Sequence, residues 1–150
     1  MSSPLPTTPR AHLRPLLWVV VWLGGATGTA ARYLTGRAVA PVGQVPVATA
    51  AVNLAGAFLL GVLLAVLAAK GPETGALRVV RLLAGVGFLG GFTTYSALAV
   101  ETVSLLDQGL AGRALAYAVG SVALGTLAAW AGIVVATGLG PKQGRAGQRG

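Results

Sequence analysis

Hydrophobic residues occupy four long stretches of the chain, and short polar segments separate them. The stretches run over roughly Leu16–Val39, Val47–Ala69, Leu77–Leu106 and Ala114–Thr137. A helix needs about 20 mostly apolar residues to cross the hydrocarbon core of a bilayer, and each stretch meets that length. The pattern therefore predicts an all-α membrane protein with four transmembrane helices.

The third stretch is the longest and contains the weakest helical sequence of the four. Gly90 and Gly91 stand near its middle, followed by Phe92 and the threonines Thr93 and Thr94. Glycine in a helix interior costs about 1 kcal/mol relative to alanine, and threonine is restricted at χ1. We therefore expect the third helix to be broken near its middle, where freed backbone carbonyls could bind a hard cation. The alternative is a continuous helix with a packing notch of small residues.

The composition supports a membrane protein and disfavours an enzyme. Of the 150 residues, 55% are hydrophobic and 9% are charged, which is too apolar for an ordinary soluble domain. The chain has no cysteine, which excludes disulfides and thiol catalysis. His12 is the only histidine, and the sequence offers no set of nucleophile, base and acid.

The charged residues predict how the chain is oriented. The net charge is +8 at pH 7. With four helices, one side of the membrane receives Arg10, Arg14, Lys70, Arg78, Arg81, Lys142, Arg145 and Arg149, and the other receives Arg37 and Arg113. Because lysine and arginine are enriched in cytoplasmic loops, this bias predicts that both termini are cytoplasmic.

The two ends of the chain are polar. Residues 1–15 are rich in proline, and residues 138–150 are rich in glycine and basic side chains. We expect a disordered N-terminal arm over 1–15, one four-helix transmembrane domain over 16–137 and a disordered basic tail over 138–150. Arg10 and Arg14 before an apolar run are also compatible with a secretory signal peptide, although the segment that follows is again membrane-like.

A few polar side chains lie inside the four predicted helices. The neutral hydrogen-bond donors are Asn53, Tyr95, Ser96, Tyr117 and Ser121, and Arg32 is the one cation. Donors of this kind suit a small hydrated anion, whose water must be replaced by N–H groups, O–H groups and the positive edges of aromatic rings. Asn53 could instead link two helices, and the hydroxyls could bond to their own backbone.

Two further positions leave alternatives open. Arg32 shares a four-residue row with Gly24, Gly28 and Gly36, so it points towards protein unless it reaches the outer interface. Gly24-x-x-x-Gly28 is itself a signal of close helix packing. Glu101 is the only acid placed to lie inside the membrane; it could equally sit at the outer interface.

Three segments together resemble the Fluc/CrcB family of fluoride channels. They are Gly24–Tyr33, Val52–Gly61 and Gly87–Ser96, the last continuing to Glu101. Each segment alone is a weak signal, whereas their order on the first three of four helices is specific. The resemblance covers nearly the whole predicted membrane region, Leu16 to about Thr137.

The resemblance implies an antiparallel dimer in the cell membrane with two pores that export cytoplasmic fluoride passively and so reduce its toxicity. It also implies a structural sodium ion at the dimer centre, held by the backbone carbonyls of Gly90 and Thr93. Carried over by position, the anion pathway comprises Asn53, Tyr95, Ser96, Leu98, Tyr117 and Ser121, with Arg32 as the arginine of the first helix and Glu101 as a vestibule acid.

The sequence departs from the family pattern at the anion pathway. Tyr95 and Leu98 stand where the family usually has phenylalanines, and Ala97 lacks the hydroxyl expected beside Ser96. Tyr95 keeps a ring and adds a hydroxyl, whereas Leu98 has no ring edge to offer an anion.

The charge bias bears on the partner. A chain that inserts in both orientations should show a weak lysine and arginine bias, but here the count is eight against two. We therefore predict a heterodimer with a related subunit of opposite orientation, and a homodimer is the alternative. A non-conducting accessory subunit is a second candidate function. A small proton-coupled exporter is disfavoured, because the first helix contains Arg32 and no acid.

Overall fold

A computed structural model describes residues 15–42, 45–72 and 74–138, and regular structure in these ranges is helical. The exception is an isolated antiparallel bridge between Val42 and Val45. The elements are α1 (Pro15–Ala38), α2 (Val47–Ala69), α3 (Gly75–Val80), a π-helical segment (Arg81–Leu89), α4 (Gly90–Phe92), α5 (Tyr95–Asp107) and α6 (Ala111–Gly138). Together they form four long helices, the third of which is built from four pieces. Nearly all of the predicted disordered arm and tail lies outside the described residues.

Three of the four long helices are long and apolar enough to cross a membrane. They are Val47–Ala69, the composite helix Gly75–Asp107 and Ala111–Gly138. α1 forms at the predicted place and has 24 residues, but it is not among these three. Its second half is rich in glycine and threonine and includes Arg32 and Arg37, which lowers its mean hydropathy. The fourth membrane span therefore stays a prediction.

The interruption of the third helix falls at two threonines rather than at the glycines before them. Gly90 keeps helical angles, with φ −63° and ψ −37°. Thr93 (φ −82°, ψ 159°) and Thr94 (φ −152°, ψ 125°) are extended. Because both residues are β-branched, they are better suited to extended backbone than to a helix interior. The hydroxyl oxygen of Thr94 then accepts a hydrogen bond of 3.2 Å from the amide of Ala97, which caps the start of α5.

Glycines bring α1 directly against the backbone of the π-helical segment. A Cβ atom at Gly24 would clash with the carbonyl oxygen of Leu83, and one at Gly28 would clash with the carbonyl of Phe88. From the opposite side, a Cβ at Gly87 would lie 2.8 Å from the carbonyl oxygen of Val21. The predicted packing role of Gly24 and Gly28 is confirmed. The sequence does not predict the π-helical widening of their partner.

A second close contact joins α2 to α6. A Cβ atom at Gly61 would clash with the carbonyl oxygen of Ala129, and one at Gly132 would clash with that of Phe58. Large side chains on the outer surface, such as Trp22, Val122 and Trp130, are more than half exposed. Apolar residues on the outside and small residues between the helices are typical of packing in a membrane.

Candidate functional site

Asn53 of α2 pairs with the backbone at the interruption of the third helix. Its Nδ2 donates a hydrogen bond of 2.9 Å to the carbonyl oxygen of Thr94, and its Oδ1 accepts one of 2.7 Å from the amide of Thr94. The side chain therefore satisfies both backbone groups of a residue that has left the helix. Of the two roles that the sequence allows for Asn53, a link between helices is the one seen directly.

An open groove of about 370 Å³ runs beside this interruption. Its lining includes Asn53, Gly90, Thr93, Tyr95 and Leu98, so it gathers five of the predicted site residues. The side chain of Tyr95 is 81% exposed, whereas that of Leu98 is 7% exposed and packs into a core with Leu105, Ala114 and Tyr117. The tyrosine is thus presented outward, and the leucine belongs mainly to the interior.

The interruption leaves a backbone carbonyl without its helical partner beside this groove. In a continuous helix the amide of Thr94 would bond to the carbonyl of Gly90, but it bonds to Asn53 instead. The carbonyl of Gly90 therefore lacks that partner, and the residues Gly90 and Thr93 both line the groove. The described residues contain no cluster of three or more acidic, histidine or cysteine side chains, so a cation here would depend on carbonyl oxygens.

A second polar group joins three helices around Glu101. Its Oε1 accepts a hydrogen bond of 2.6 Å from the hydroxyl of Thr49 in α2, and its Oε2 accepts one of 2.5 Å from the hydroxyl of Tyr117 in α6. Thr49 is 9% exposed and Tyr117 is 7% exposed. Hydroxyl donors to a carboxylate form short, strong hydrogen bonds, so Glu101 orders both hydroxyls.

Thr49 is a site residue that the sequence reasoning does not select. It stands four residues before Asn53, and residues at this spacing share a helix face. That spacing was a usable signal, since one face of α2 carries both polar contacts: Thr49 to Glu101 and Asn53 to Thr94. The two polar groups are therefore about one helical turn apart on α2.

Arg32 does not line the groove beside Asn53. It borders a cavity of about 310 Å³ whose lining includes Thr49, Thr94 and Ala97. The side chain is half-buried and makes no hydrogen bond or ion pair with the part of the chain that the structure describes. Arg32 thus shares a cavity with one member of each polar group, Thr94 and Thr49.

Two predicted site residues are less closely joined to these groups. Ser96 is exposed, and its hydroxyl oxygen lies 3.2 Å from that of Thr94. Ser121 is half-buried on α6, four residues after Tyr117, and it does not line the groove beside Asn53. The structure thus places Ser96 beside the interruption and Ser121 farther along α6.

Residues 19–133 match the family described as "CrcB-like protein, Camphor Resistance (CrcB)". The chain belongs to the CrcB-like family. All three sequence segments that carry the resemblance lie within the matched residues, so the predicted membership is confirmed. Asn53, Glu101 and the interrupted helix between them are therefore features of a CrcB-like protein.

Individual CrcB-like relatives match most of the chain. It is 45% identical over 133 residues to "Fluoride-specific ion channel FluC 2" of Leifsonia xyli subsp. xyli (strain CTCB07), and the alignment covers 89% of this chain and 92% of the relative. It is 47% identical over 118 residues to "Fluoride-specific ion channel FluC 1" of Cutibacterium acnes (strain DSM 16379 / KPA171202), covering 78% and 82%. It is 42% identical over 139 residues to "Fluoride-specific ion channel FluC 2" of Nocardia farcinica (strain IFM 10152), covering 92% of each. These relatives are named as channels, in agreement with the expectation that this CrcB-like chain is not an enzyme.

Proposed function

We propose that this chain is a subunit of a fluoride-selective channel in the cell membrane, which exports cytoplasmic fluoride passively and so reduces its toxicity. The observation that carries the proposal is the gathering of neutral hydrogen-bond donors around an interrupted helix, in a chain whose relatives are named fluoride-specific channels. In this proposal α1 crosses the membrane together with the three other long helices, which makes four spans and puts both termini in the cytoplasm.

The chemistry of the groove suits a small anion. Asn53 lines it with an amide, and Tyr95 adds a ring edge and a hydroxyl. Neutral donors replace the water of a hydrated anion without holding it as tightly as a charge would. Arg32 is close enough to raise the local concentration of anions, because it borders a cavity that shares Thr94 with the groove. Ser96 and Ser121 are further donors of the proposed path, and Tyr117 borders it through Glu101, to which its one O–H is donated.

A single chain does not enclose this path. The groove is open, and Tyr95 at its edge is 81% exposed. We propose that a second, oppositely oriented subunit covers the groove. The preferred partner is a related chain rather than a second copy, because eight cations against two fix the orientation of this one.

The sodium ion belongs to the same proposal. The carbonyls of Gly90 and Thr93 would bind the ion at the dimer centre. The ion would thereby link the interrupted third helices of the two subunits. Hard cations such as Ca²⁺ take about 6–8 oxygen ligands in proteins, so two carbonyls from one chain leave positions for the partner subunit. This arrangement agrees with a groove that is open on one side.

One observation favours the alternative of a non-conducting accessory subunit. Leu98 stands where the family usually has a phenylalanine, and its side chain is 7% exposed within a core of Leu105, Ala114 and Tyr117. It therefore offers no ring edge to the groove. In that case the chain would support a conducting partner through the shared interface.

Growth of a bacterium that lacks its own fluoride exporter tests the proposal in cells. The chain is expressed alone, with a second CrcB-like subunit, or not at all, on media of rising fluoride concentration. We expect the chain and its partner together to raise the tolerated fluoride concentration well above that given by the partner alone. Equal tolerance with and without this chain would contradict the channel proposal.

A further inference from the structure

The geometry points to Asn53 as a positioning residue that holds the interruption of the third helix in place, apart from any contact it makes with an anion. The inference concerns the groove in which we place the anion path, so its consequence for transport rests on the proposed function. Its structural part rests only on contacts between α2 and the residues Thr93 and Thr94.

The backbone amide and carbonyl of Thr94 need hydrogen-bond partners outside the third helix. When a residue leaves a helix inside a membrane, water does not reach its amide and carbonyl, and each unsatisfied group costs several kcal/mol. Asn53 meets both groups, with bonds of 2.7 Å from the amide and 2.9 Å to the carbonyl. A side-chain amide has the same donor and acceptor as a peptide. It can therefore replace the partners that the helix has lost.

Thr93, the neighbouring residue of the same interruption, also packs against α2. The Cγ2 methyl of Thr93 fills the position that a Cβ atom would take at Gly56 of α2. The hydroxyl of Thr93 donates a bond of 2.8 Å to the carbonyl of Leu89. Asn53 and Gly56 are three residues apart and lie on one face of α2. One turn of α2 thus fixes both extended residues, Thr94 by hydrogen bonds and Thr93 by shape.

The bonds to Thr94 limit what Asn53 can offer an anion. A primary amide has two N–H groups and one oxygen. One N–H and the oxygen of Asn53 are already used on Thr94, so a single N–H remains for the groove. The same bonds divert the amide of Thr94 from the carbonyl of Gly90. Loss of Asn53 would therefore disturb the proposed anion path and the proposed cation ligands together.

Hydrogen exchange of the full chain in lipid tests the structural part. In Asn53→Leu, which removes both bonds, we expect the Thr94 amide to exchange at least about tenfold faster than in the wild type. Thr126→Val is the matched control, because the hydroxyl of Thr126 bonds only to the carbonyl of Val122 in its own helix. In this control variant the Thr94 amide should exchange as in the wild type. Unchanged exchange at Thr94 in Asn53→Leu would overturn the inference.

Asn53→Asp provides a rescue that a general packing role would not give. A protonated carboxyl can donate to the Thr94 carbonyl and accept from its amide, whereas a carboxylate can only accept. At high pH the carboxylate of Asn53→Asp would still accept from the Thr94 amide but would face the Thr94 carbonyl oxygen without a donor, so the free energy of unfolding in detergent, compared with the wild type at each pH, should fall at high pH and recover as the pH falls. An equal loss of stability at every pH would contradict the two-bond arrangement.

A backbone change separates positioning from direct contact with the anion. Replacing residue 94 by the α-hydroxy acid of threonine removes the amide N–H and leaves Asn53 intact. If Asn53 acts through the interruption, this ester slows fluoride efflux, and the ester combined with Asn53→Leu is no worse than Asn53→Leu alone. An ester that leaves efflux unchanged while Asn53→Leu abolishes it would assign Asn53 to the anion alone. If the wild-type chain passes no fluoride, the exchange measurements still decide the structural part.

Discussion

At the scale of single residues, the carboxyl group of Glu101 is held by hydroxyls rather than by a cation. Thr49 and Tyr117 each donate to one oxygen of Glu101, and Arg32 reaches the group only by sharing a cavity with Thr49. The carboxylate charge is thus balanced by O–H dipoles from two other helices. This arrangement ties α2, α5 and α6 together.

Removing one hydroxyl from this group should weaken the fold. Tyr117→Phe leaves Oε2 of Glu101 without its 2.5 Å donor, and we expect the free energy of unfolding in detergent to fall by about 1–2 kcal/mol. Thr126→Val removes a hydroxyl that bonds only within its own helix, and this variant should change the free energy of unfolding little. Equal stability of both variants would show that the Glu101 group contributes nothing to the fold.

At the scale of elements, the third helix is positioned by its neighbours from two sides. α1 packs against the π-helical segment through Gly24 and Gly28, and Gly91 of α4 meets the backbone of Gly25. α2 holds the interruption that follows, through Asn53 and Gly56. The backbone of α1 thus positions the part of the third helix before the interruption, and α2 contacts the interruption itself.

The contact between α1 and the π-helical segment can be tested by adding one methyl group. Gly28→Ala places a Cβ atom against the carbonyl of Phe88, so the helices must move apart, and we expect a loss of stability of at least about 2 kcal/mol. Gly125→Ala on α6 meets no atom within 4 Å and should be neutral or slightly stabilising. Thermal unfolding of the two variants side by side measures the difference, and similar midpoints would contradict the close contact.

The hydrophobic pattern predicts the four helices because it depends on residues close in sequence. The interruption is predicted to within a few residues, but the glycines are misleading: Gly91 is small because α1 approaches it, and the extended residues are Thr93 and Thr94. The partner of Thr94 is 41 residues away, and local pattern carries no information about it. The same holds for Thr49, which gains its role only when α2 meets α5.

At the scale of the whole molecule, the described chain has a groove without a cover and a strong asymmetry of charge. The groove beside Asn53 is open, with Tyr95 exposed at its edge. The cations are divided eight against two between the two sides of the predicted topology. Both features agree with a subunit of fixed orientation that needs a second subunit to complete the path.

The orientation is open to direct labelling, because the chain has no cysteine. Lys70→Cys and Gln108→Cys each place one thiol at an exposed position on opposite sides of the predicted topology. In intact cells, a membrane-impermeant maleimide should label the cysteine at position 108 and leave the one at position 70 unlabelled until the cells are opened. Substantial labelling at both positions in intact cells would indicate dual orientation and favour the homodimer.

Fluoride efflux from liposomes tests the central claim most directly. The purified chain is reconstituted alone and together with a second CrcB-like subunit, and release of loaded fluoride is followed with an ion-selective electrode, with chloride as the control anion. We predict rapid fluoride release without chloride release when both subunits are present, and little release from this chain alone. Rapid release from this chain alone would contradict the need for a partner, and no release in either preparation would contradict the assignment as a conducting subunit.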